Sequence, residues 1–393
     1  MKMKICMVAT DFPYREREGT ITQGGGGACA AQLVGALVKK GVSVSVITRA
    51  EENSKGEIFR IPVYRTGFAY LGFRESKITH SIFALPTAFL VFSRERFDVL
   101  HSHNPPAALT ATIISKLFRT PQLLTMHGPW AGVRMNPLTR LLGRLIEGLC
   151  VHLADRVTCD SRALIEEMAR IYKVKSGKLA YIPNAVDVSI FKPLDKKKAR
   201  EKLNLETGGK IILYTGRFVR EKGLPFLLDA SEEIFRRNPG SRILLVGGGF
   251  DEHIVKNWIE KNPKFAKSIR VLPYARYELM PHVYSACDVF VLPSLAEGMS
   301  RSVMEAMACG LPVVATRVGG NPELVQKDTG ILVEPENPAQ LSGAVCELLG
   351  NEKKSKLFGK RAREFIAKNM SVEHRVGAFL KIYAEMTKND EKR

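Results

Sequence analysis

Two glutamates, Glu297 and Glu305, stand in the segment Pro293-Ser294-Leu295-Ala296-Glu297-Gly298-Met299-Ser300-Arg301-Ser302-Val303-Met304-Glu305-Ala306-Met307-Ala308-Cys309-Gly310-Leu311-Pro312-Val313-Val314. The apolar run Val289–Leu292 ahead of it reads as a strand, and Ser302–Cys309 as a helix. In an open α/β sheet such a strand ends at the carboxyl edge, where ligands bind. Glu297 falls in the loop, and Gly298 lets the backbone come close to a bound group. Together with Met299, Ser300 and Ser302, Gly298 leads into a helix start whose unsatisfied N–H groups and positive dipole end suit a diphosphate. Glu305, in the early turns, has the reach to accept hydrogen bonds from two ribose hydroxyls. Either carboxylate alone reads as a solvated surface group; the strand, loop and helix together favour a site.

Several catalytic signatures are missing: there is no H-E-x-x-H, no G-x-S-x-G and no Walker A sequence. Gly24-Gly25-Gly26-Gly27-Ala28-Cys29 and Gly247-Gly248-Gly249-Phe250-Asp251-Glu252 approach a dinucleotide fingerprint, but each lacks its last glycine. That argues against a nicotinamide enzyme. The run at Gly24–Gly27 precedes an expected helix, Ala28–Lys40, so its N–H groups could hold an anion or let a substrate approach the main chain. The plainer reading is a β–α loop that needs glycine conformations. Seven scattered cysteines form no C-x-x-C pair, so neither a zinc site nor a disulfide framework is indicated, and a reducing compartment fits.

The elements that must position these residues alternate along all 393 residues. Ile5–Ala9, Val42–Thr48, Val99–His101, Leu123–His127 and Arg156–Cys159 read as strands separated by helical patterns. A second series starts at Lys210, with strands at Ile211–Thr215, Arg242–Val246, Ile269–Leu272, Val289–Leu292 and Pro312–Ala315. Leu224–Arg237 lies among them as a helix, and Ala339–Leu349, Lys353–Lys368 and Val372–Met386 follow. Alternation of this kind predicts two Rossmann-like α/β domains built on parallel sheets. Their boundary falls in the proline-bearing stretch Ile182–Pro193, giving domains at 1–187 and 188–371.

The Glu297–Glu305 segment closely resembles the E-x7-E motif of the retaining family 4 glycosyltransferases, and the resemblance extends over nearly the whole chain. Tyr214-Thr215-Gly216-Arg217-Phe218-Val219-Arg220-Glu221-Lys222-Gly223-Leu224 is similar to the family's segment with a diphosphate-binding Arg and Lys. Asp98–His103 and Thr125–Gly128 match its two histidine-bearing strand ends. Val157–Ser161 and Ile182–Asp187 also fit, with Ala185 in place of the usual glycine.

The resemblance implies the GT-B fold, two Rossmann-like domains facing a central cleft. The first would bind the acceptor and the second the nucleotide-sugar donor, with the helix 372–387 returning to the first. It implies that Arg217 and Lys222 hold the diphosphate, Glu297 the sugar and Glu305 the ribose. His127 would touch the transferred sugar or the acceptor hydroxyl, and His103 would organise the same cleft. Gly25 and Gly26 would flank the acceptor, and backbone groups near Tyr274 would read the base. Chemistry agrees for the two cations, since a departing diphosphate gathers negative charge that fixed cations stabilise. A front-face, retaining transfer of a hexosyl unit from a UDP- or GDP-sugar to a polysaccharide, lipid-linked or small-glycoside hydroxyl is expected. No metal is expected, because no D-x-D pair stands in a suitable place.

The net charge of +19 divides evenly, 25 basic and 15 acidic residues up to Asp187 and 34 and 25 beyond. A nucleic-acid binder concentrates its charge and interleaves aromatics, so a basic surface facing anionic small molecules or lipids is the better reading. The longest apolar stretch, Ile82–Phe92, is about half the length needed to span a bilayer and carries Pro86. A cytoplasmic protein is expected. The segment from Gly67 to Phe92, with its aromatics and nearby Arg74, Lys77, Arg94 and Arg96, reads either as a peripheral contact with an anionic membrane or as a helix buried against the sheet. A sugar-nucleotide epimerase on the same fold and a basic nucleic-acid-binding protein are the alternatives in function.

Overall fold

The computed structural model describes residues 3–12, 14–16, 19–21, 24–49, 54–58, 60–66, 75–128, 137–273 and 275–390. They form two compact units, residues 1–184 with 372–393, and residues 185–371.

The first unit opens with β1 (Lys4–Ala9), β2 (Tyr14–Glu16), β3 (Gly19–Ile21), α1 (Gly24–Lys39), β4 (Ser43–Arg49), β5 (Ser54–Ile58) and β6 (Ile61–Thr66). It continues with α2 (Glu75–Arg94), β7 (Val99–His103), α3 (Asn104–Phe118), β8 (Gln122–Met126), α4 (Pro137–Leu153), β9 (Arg156–Cys159), α5 (Arg162–Tyr172) and β10 (Leu179–Tyr181). Its eight-stranded sheet runs β10-β9-β8-β7-β1-β4-β6-β5, parallel except for the β5–β6 pair. Because side chains alternate along a strand, β1 serves two cores. Ile5, Met7 and Ala9 pack under α1, while Cys6 and Val8 pack under α2 and α3. Helices α3, α4 and α5 cover the neighbouring strands through a third cluster around Leu124, Met126 and Val157.

The second unit contains α6 (Lys196–Lys202), β11 (Ile211–Thr215), α7 (Leu224–Arg237), β12 (Arg242–Val246), α8 (Glu252–Lys261), β13 (Ile269–Leu272) and α9 (Met280–Ser285). Then come β14 (Val289–Leu292), α10 (Arg301–Ala308), β15 (Val313–Thr316), α11 (Asn321–Leu324), β16 (Gly330–Val333), α12 (Pro338–Gly350) and α13 (Glu352–Asn369). Its six strands are all parallel, in the order β13-β12-β11-β14-β15-β16. β11 and β14 are buried on both faces, which is why they read as unbroken apolar runs.

Both sheets reverse their strand order once. The first unit's chain winds from β1 through β4 to β6 and then returns to β7 on the other side of β1. In the second unit it winds from β11 to β13 and returns to β14 beside β11. At such a switch point the two diverging connections leave a crevice at the carboxyl ends of the strands. His103 ends β7, Gly216 follows β11, and Pro293 follows β14.

One helix start differs from the expectation. α1 begins at Gly24, so the glycine run forms the helix's first turn and is not a loop ahead of it. Glycine is a weak helix former, and propensity therefore moves the start to Ala28. The final helix, α14 (Val372–Asp390), packs on α1 and belongs to the first unit. Its Val376, Phe379, Tyr383 and Met386 are buried in the core under β1 and β4. Burying four such side chains contributes about 6–12 kcal/mol, comparable to the stability of a whole domain. Deletion of residues 372–393 should therefore abolish cooperative unfolding of the first unit in a calorimetric scan. An unchanged melting profile would refute this.

Candidate active site

In the second unit, the loop after β11 folds back on itself. Tyr214 Oη donates to the Arg217 carbonyl (3.0 Å), and the Phe218 N–H to the Gly248 carbonyl (2.8 Å). The loop closes with a single helical turn at Arg220–Lys222. It lies directly beside the loop after β14, where the Leu295 N–H donates to the Glu221 carbonyl (2.9 Å). Gly223, with φ of 67°, touches this second loop through bare backbone, and a Cβ there would collide with the Pro293 carbonyl. From the β15 side Gly319, with φ of 50°, does the same against the Glu297 carbonyl. The Gly320 N–H then donates to the Gly298 carbonyl (2.7 Å).

This clamp fixes the Glu297 side chain, which is 7% exposed. Its Oε1 accepts from Lys222 Nζ at 2.6 Å and from Ser294 Oγ at 2.6 Å. Ser300 caps α10 by accepting from the Val303 N–H. On that helix Glu305 accepts from Arg301 (3.2 Å) and from Tyr284 Oη (2.9 Å). Tyr284 spends its one proton there, so it accepts from Thr215 Oγ1 at 3.2 Å. Burial pushes the Glu305 carboxyl up from the usual range, against the opposing pull of Arg301 and Tyr284. Burial, reinforced by Glu305, also holds the Tyr284 hydroxyl well above its ordinary value.

The structure thus brings Lys222 and Glu297 into direct contact, with Glu305 in the second turn of α10. Gly298, Met299, Ser300 and Ser302 form the entry to that helix, Met299 and Ser300 being buried. Arg217 lies exposed on the loop that also carries Lys222. Tyr274 lies outside the described residues. Ser294 and Tyr284 are partners that sequence reasoning passed over. Ser294 was visible within the motif, whereas Tyr284 sits on a different helix and carries no local signal.

The first unit gathers a chain of polar side chains at the ends of β7, β8 and β9. Asp160 Oδ2 accepts from Asn184 Nδ2 (2.9 Å) and from His127 Nδ1 (3.3 Å). That assignment leaves His127 Nε2 to accept from His103 Nδ1, 3.0 Å away. The His127 N–H donates to Asn104 Oδ1 (3.0 Å), and Asn104 itself adopts φ of 61°. Beneath them His101 bridges Tyr383 Oη and Thr125 Oγ1, each at 2.7 Å. Burial, with the neighbouring histidines and Arg375, holds His101 and His103 well below the ordinary imidazole range. Both rings are therefore neutral at physiological pH. Gly26 stands close to Asn104 and His127, and Gly25 lies in the same turn of α1. Asp98 and Asp155 serve backbone instead, accepting from the N–H groups of Lys4 (2.7 Å) and Gln122 (2.9 Å). Asn104, Asp160 and Asn184 were given no role from sequence. Their partners come together only through strand pairing.

Two Rossmann-like units, each with polar groups at its switch point, match the GT-B architecture of solved glycosyltransferases. The family model described as "Glycosyl transferases group 1" matches residues 195–365, and that described as "Glycosyltransferase Family 4" matches residues 23–190. The chain belongs to the family 4 glycosyltransferases. It is 26% identical to the D-inositol 3-phosphate glycosyltransferase of Corynebacterium jeikeium (strain K411), over 98% of this chain and 97% of that protein. A second such enzyme, from Catenulispora acidiphila, is 27% identical over 93% and 91% of the two chains. In fold the chain is similar to sucrose-phosphate synthase from Thermosynechococcus elongatus, with a TM-score of 0.87 at 23% identity over 99% and 100% of the two chains. It is also similar to Anabaena HepE in complex with UDP-glucose, with a TM-score of 0.77 at 19% identity over 98% and 100%.

The backbone clamp makes a prediction. Gly319→Ala should cost about 1–3 kcal/mol and displace the Glu297 loop, lowering both Tm and nucleotide affinity. Gly343→Ala is the control, because its Cβ meets nothing within 4 Å on α12. It should raise stability by about 0.4–1 kcal/mol. Equal effects at the two sites in thermal melts would refute the clamp.

Proposed function

We propose that this glycosyltransferase moves a hexosyl unit from a nucleoside-diphosphate sugar to an acceptor hydroxyl with retention of configuration. The observation that carries the reading is the Lys222–Glu297–Ser294 cluster beside the start of α10. In this reading the diphosphate lies on the α10 N-terminus, where backbone N–H groups and the helix dipole favour negative charge. Lys222 and Arg217 stabilise the charge that grows as the glycosidic bond breaks, so no metal is required. Glu305 accepts the ribose hydroxyls. Glu297, already oriented by Lys222 and Ser294, holds sugar hydroxyls and does not attack.

The acceptor oxygen then approaches the anomeric carbon from the face that the diphosphate leaves. The departing phosphate oxygen takes the acceptor's proton, and retention follows. His127 serves the transferred sugar or the acceptor through Nε2, exchanging its contact with His103 for one with substrate. UDP is the first nucleotide to test, because HepE, similar in fold, was solved with UDP and with UDP-glucose. A phosphorylated polyol is a natural first acceptor, given the names of the inositol-phosphate relatives.

Proton NMR of the product should show the donor's anomeric configuration, and activity should survive a chelator. Lys222→Ala should lower kcat by about 10²–10³-fold. His127→Ala should lower transfer while leaving UDP affinity unchanged. An inverted product, or a glycosyl adduct at Glu297 found by mass spectrometry, would overturn the mechanism.

A pH dependence follows from Glu305. Its pKa is raised, so falling pH protonates it earlier than an exposed glutamate. Nucleotide affinity should drop through that raised value, and Glu305→Gln should erase the step in titrations by calorimetry. Persistence of the step in Glu305→Gln would assign it to another group.

A further inference from the structure

Among the described residues, twelve of the seventeen large hydrophobic side chains left exposed lie on α2, α3 and α4. These three helices are contiguous, since α3 packs against both α2 and α4. On α4 the exposed residues are Leu138, Leu141, Leu142, Leu145, Leu149 and Leu153. Their spacing of three, four and seven places them on one face, opposite the buried Glu147, Cys150 and Val151. Phe89 and Leu90 of α2 and Leu117 of α3 extend the apolar surface. Scattered exposed leucines are ordinary, but a contiguous helical stripe marks an interaction surface.

Charge decides the partner. Lys116 and Arg119 are exposed beside Ile113 and Leu117 at the end of α3, and Arg94 is exposed one turn after Leu90 at the end of α2. Glu147 is the only acidic residue on α3 or α4, and it is wholly buried. A two-fold contact between copies would set these like charges against one another. A negatively charged lipid surface takes up both the leucines and the cations. No helix of the described residues is long and apolar enough to cross a membrane, so the face would lie on the bilayer and not through it. We propose that the α2–α4 face docks the enzyme onto anionic membrane, with α4 lying in the interfacial plane. This is independent of the reaction, because none of these side chains belongs to either switch-point cluster.

Flotation of the full chain with phosphatidylcholine vesicles carrying about 30% phosphatidylglycerol tests the proposal. The chain should float with these vesicles, and about tenfold less with phosphatidylcholine alone or at about 0.5 M salt. The double variant Leu141→Gln, Leu145→Gln should lose about tenfold in binding while keeping the parent's Tm. Lys116→Gln with Arg119→Gln should lose the preference for anionic lipid. Unchanged flotation of both variants, or none by the parent, overturns the proposal. A dimer in light scattering that the leucine substitutions dissolve, without vesicle binding, assigns the face to a second copy and also overturns it. Neither readout needs turnover, so failure here is separable from failure of the proposed reaction.

Discussion

The second unit's site depends on close contact between bare backbones. The loop that carries Glu297 is pressed between Gly223 on one side and Gly319 on the other. No side chain on either could be accommodated, so the carboxylate's position is set by main-chain geometry before any charge acts. Three loops, following β11, β14 and β15, are thereby held as one rigid edge. The Lys222–Glu297 pair sits on that edge, partly withdrawn from water. A pair in such surroundings adds little net stability, because desolvation offsets attraction. Its value lies in orientation: charges that meet a ligand are already aimed and cost no reorganisation.

The first unit solves a different problem at its own switch point. Its polar side chains are hydrogen-bonded in series, from Asn184 through Asp160 and His127 to His103, and burial keeps His101 and His103 neutral. Neutral imidazoles present directional donors and acceptors without the long-range field of a cation. The two units therefore offer contrasting surfaces, one charged and one polar. Family membership and the switch-point topology account for the general design. The individual hydrogen bonds belong to this sequence.

Much of the second unit was legible because its central strands, β11 and β14, are buried on both faces. β11, β12, β13 and β14 have the bounds their apolar runs predict, and α7 does too. The first unit was harder to read. β5 and β6 are an edge pair with polar positions, and β16 of the second unit is only four residues with one glycine, so none stood out from loop. Of the segment from Gly67 to Phe92, the described part, α2, is buried along one side only. Ala84, Ala88, Val91 and Phe92 of α2 are buried, while Ile82, Phe83, Phe89 and Leu90 are exposed. Phe68, Tyr70, Phe73 and Arg74 lie outside the described residues. At the site, Glu297, Glu305 and Lys222 carried a local signal through their loop and helix context. Tyr284, Asp160 and Asn184 did not, since each meets its partner only after distant strands have paired.

The placement of α14 also bears on synthesis. The sheet face under α1 is finished by Phe379 and Tyr383, which leave the ribosome only after the whole of residues 185–371. During translation the first unit must wait, with an apolar groove beside α1 still open, while the second can complete its own core. The nascent chain thus matures in reverse order, the later unit before the earlier one. That interval is when a chaperone would find its target.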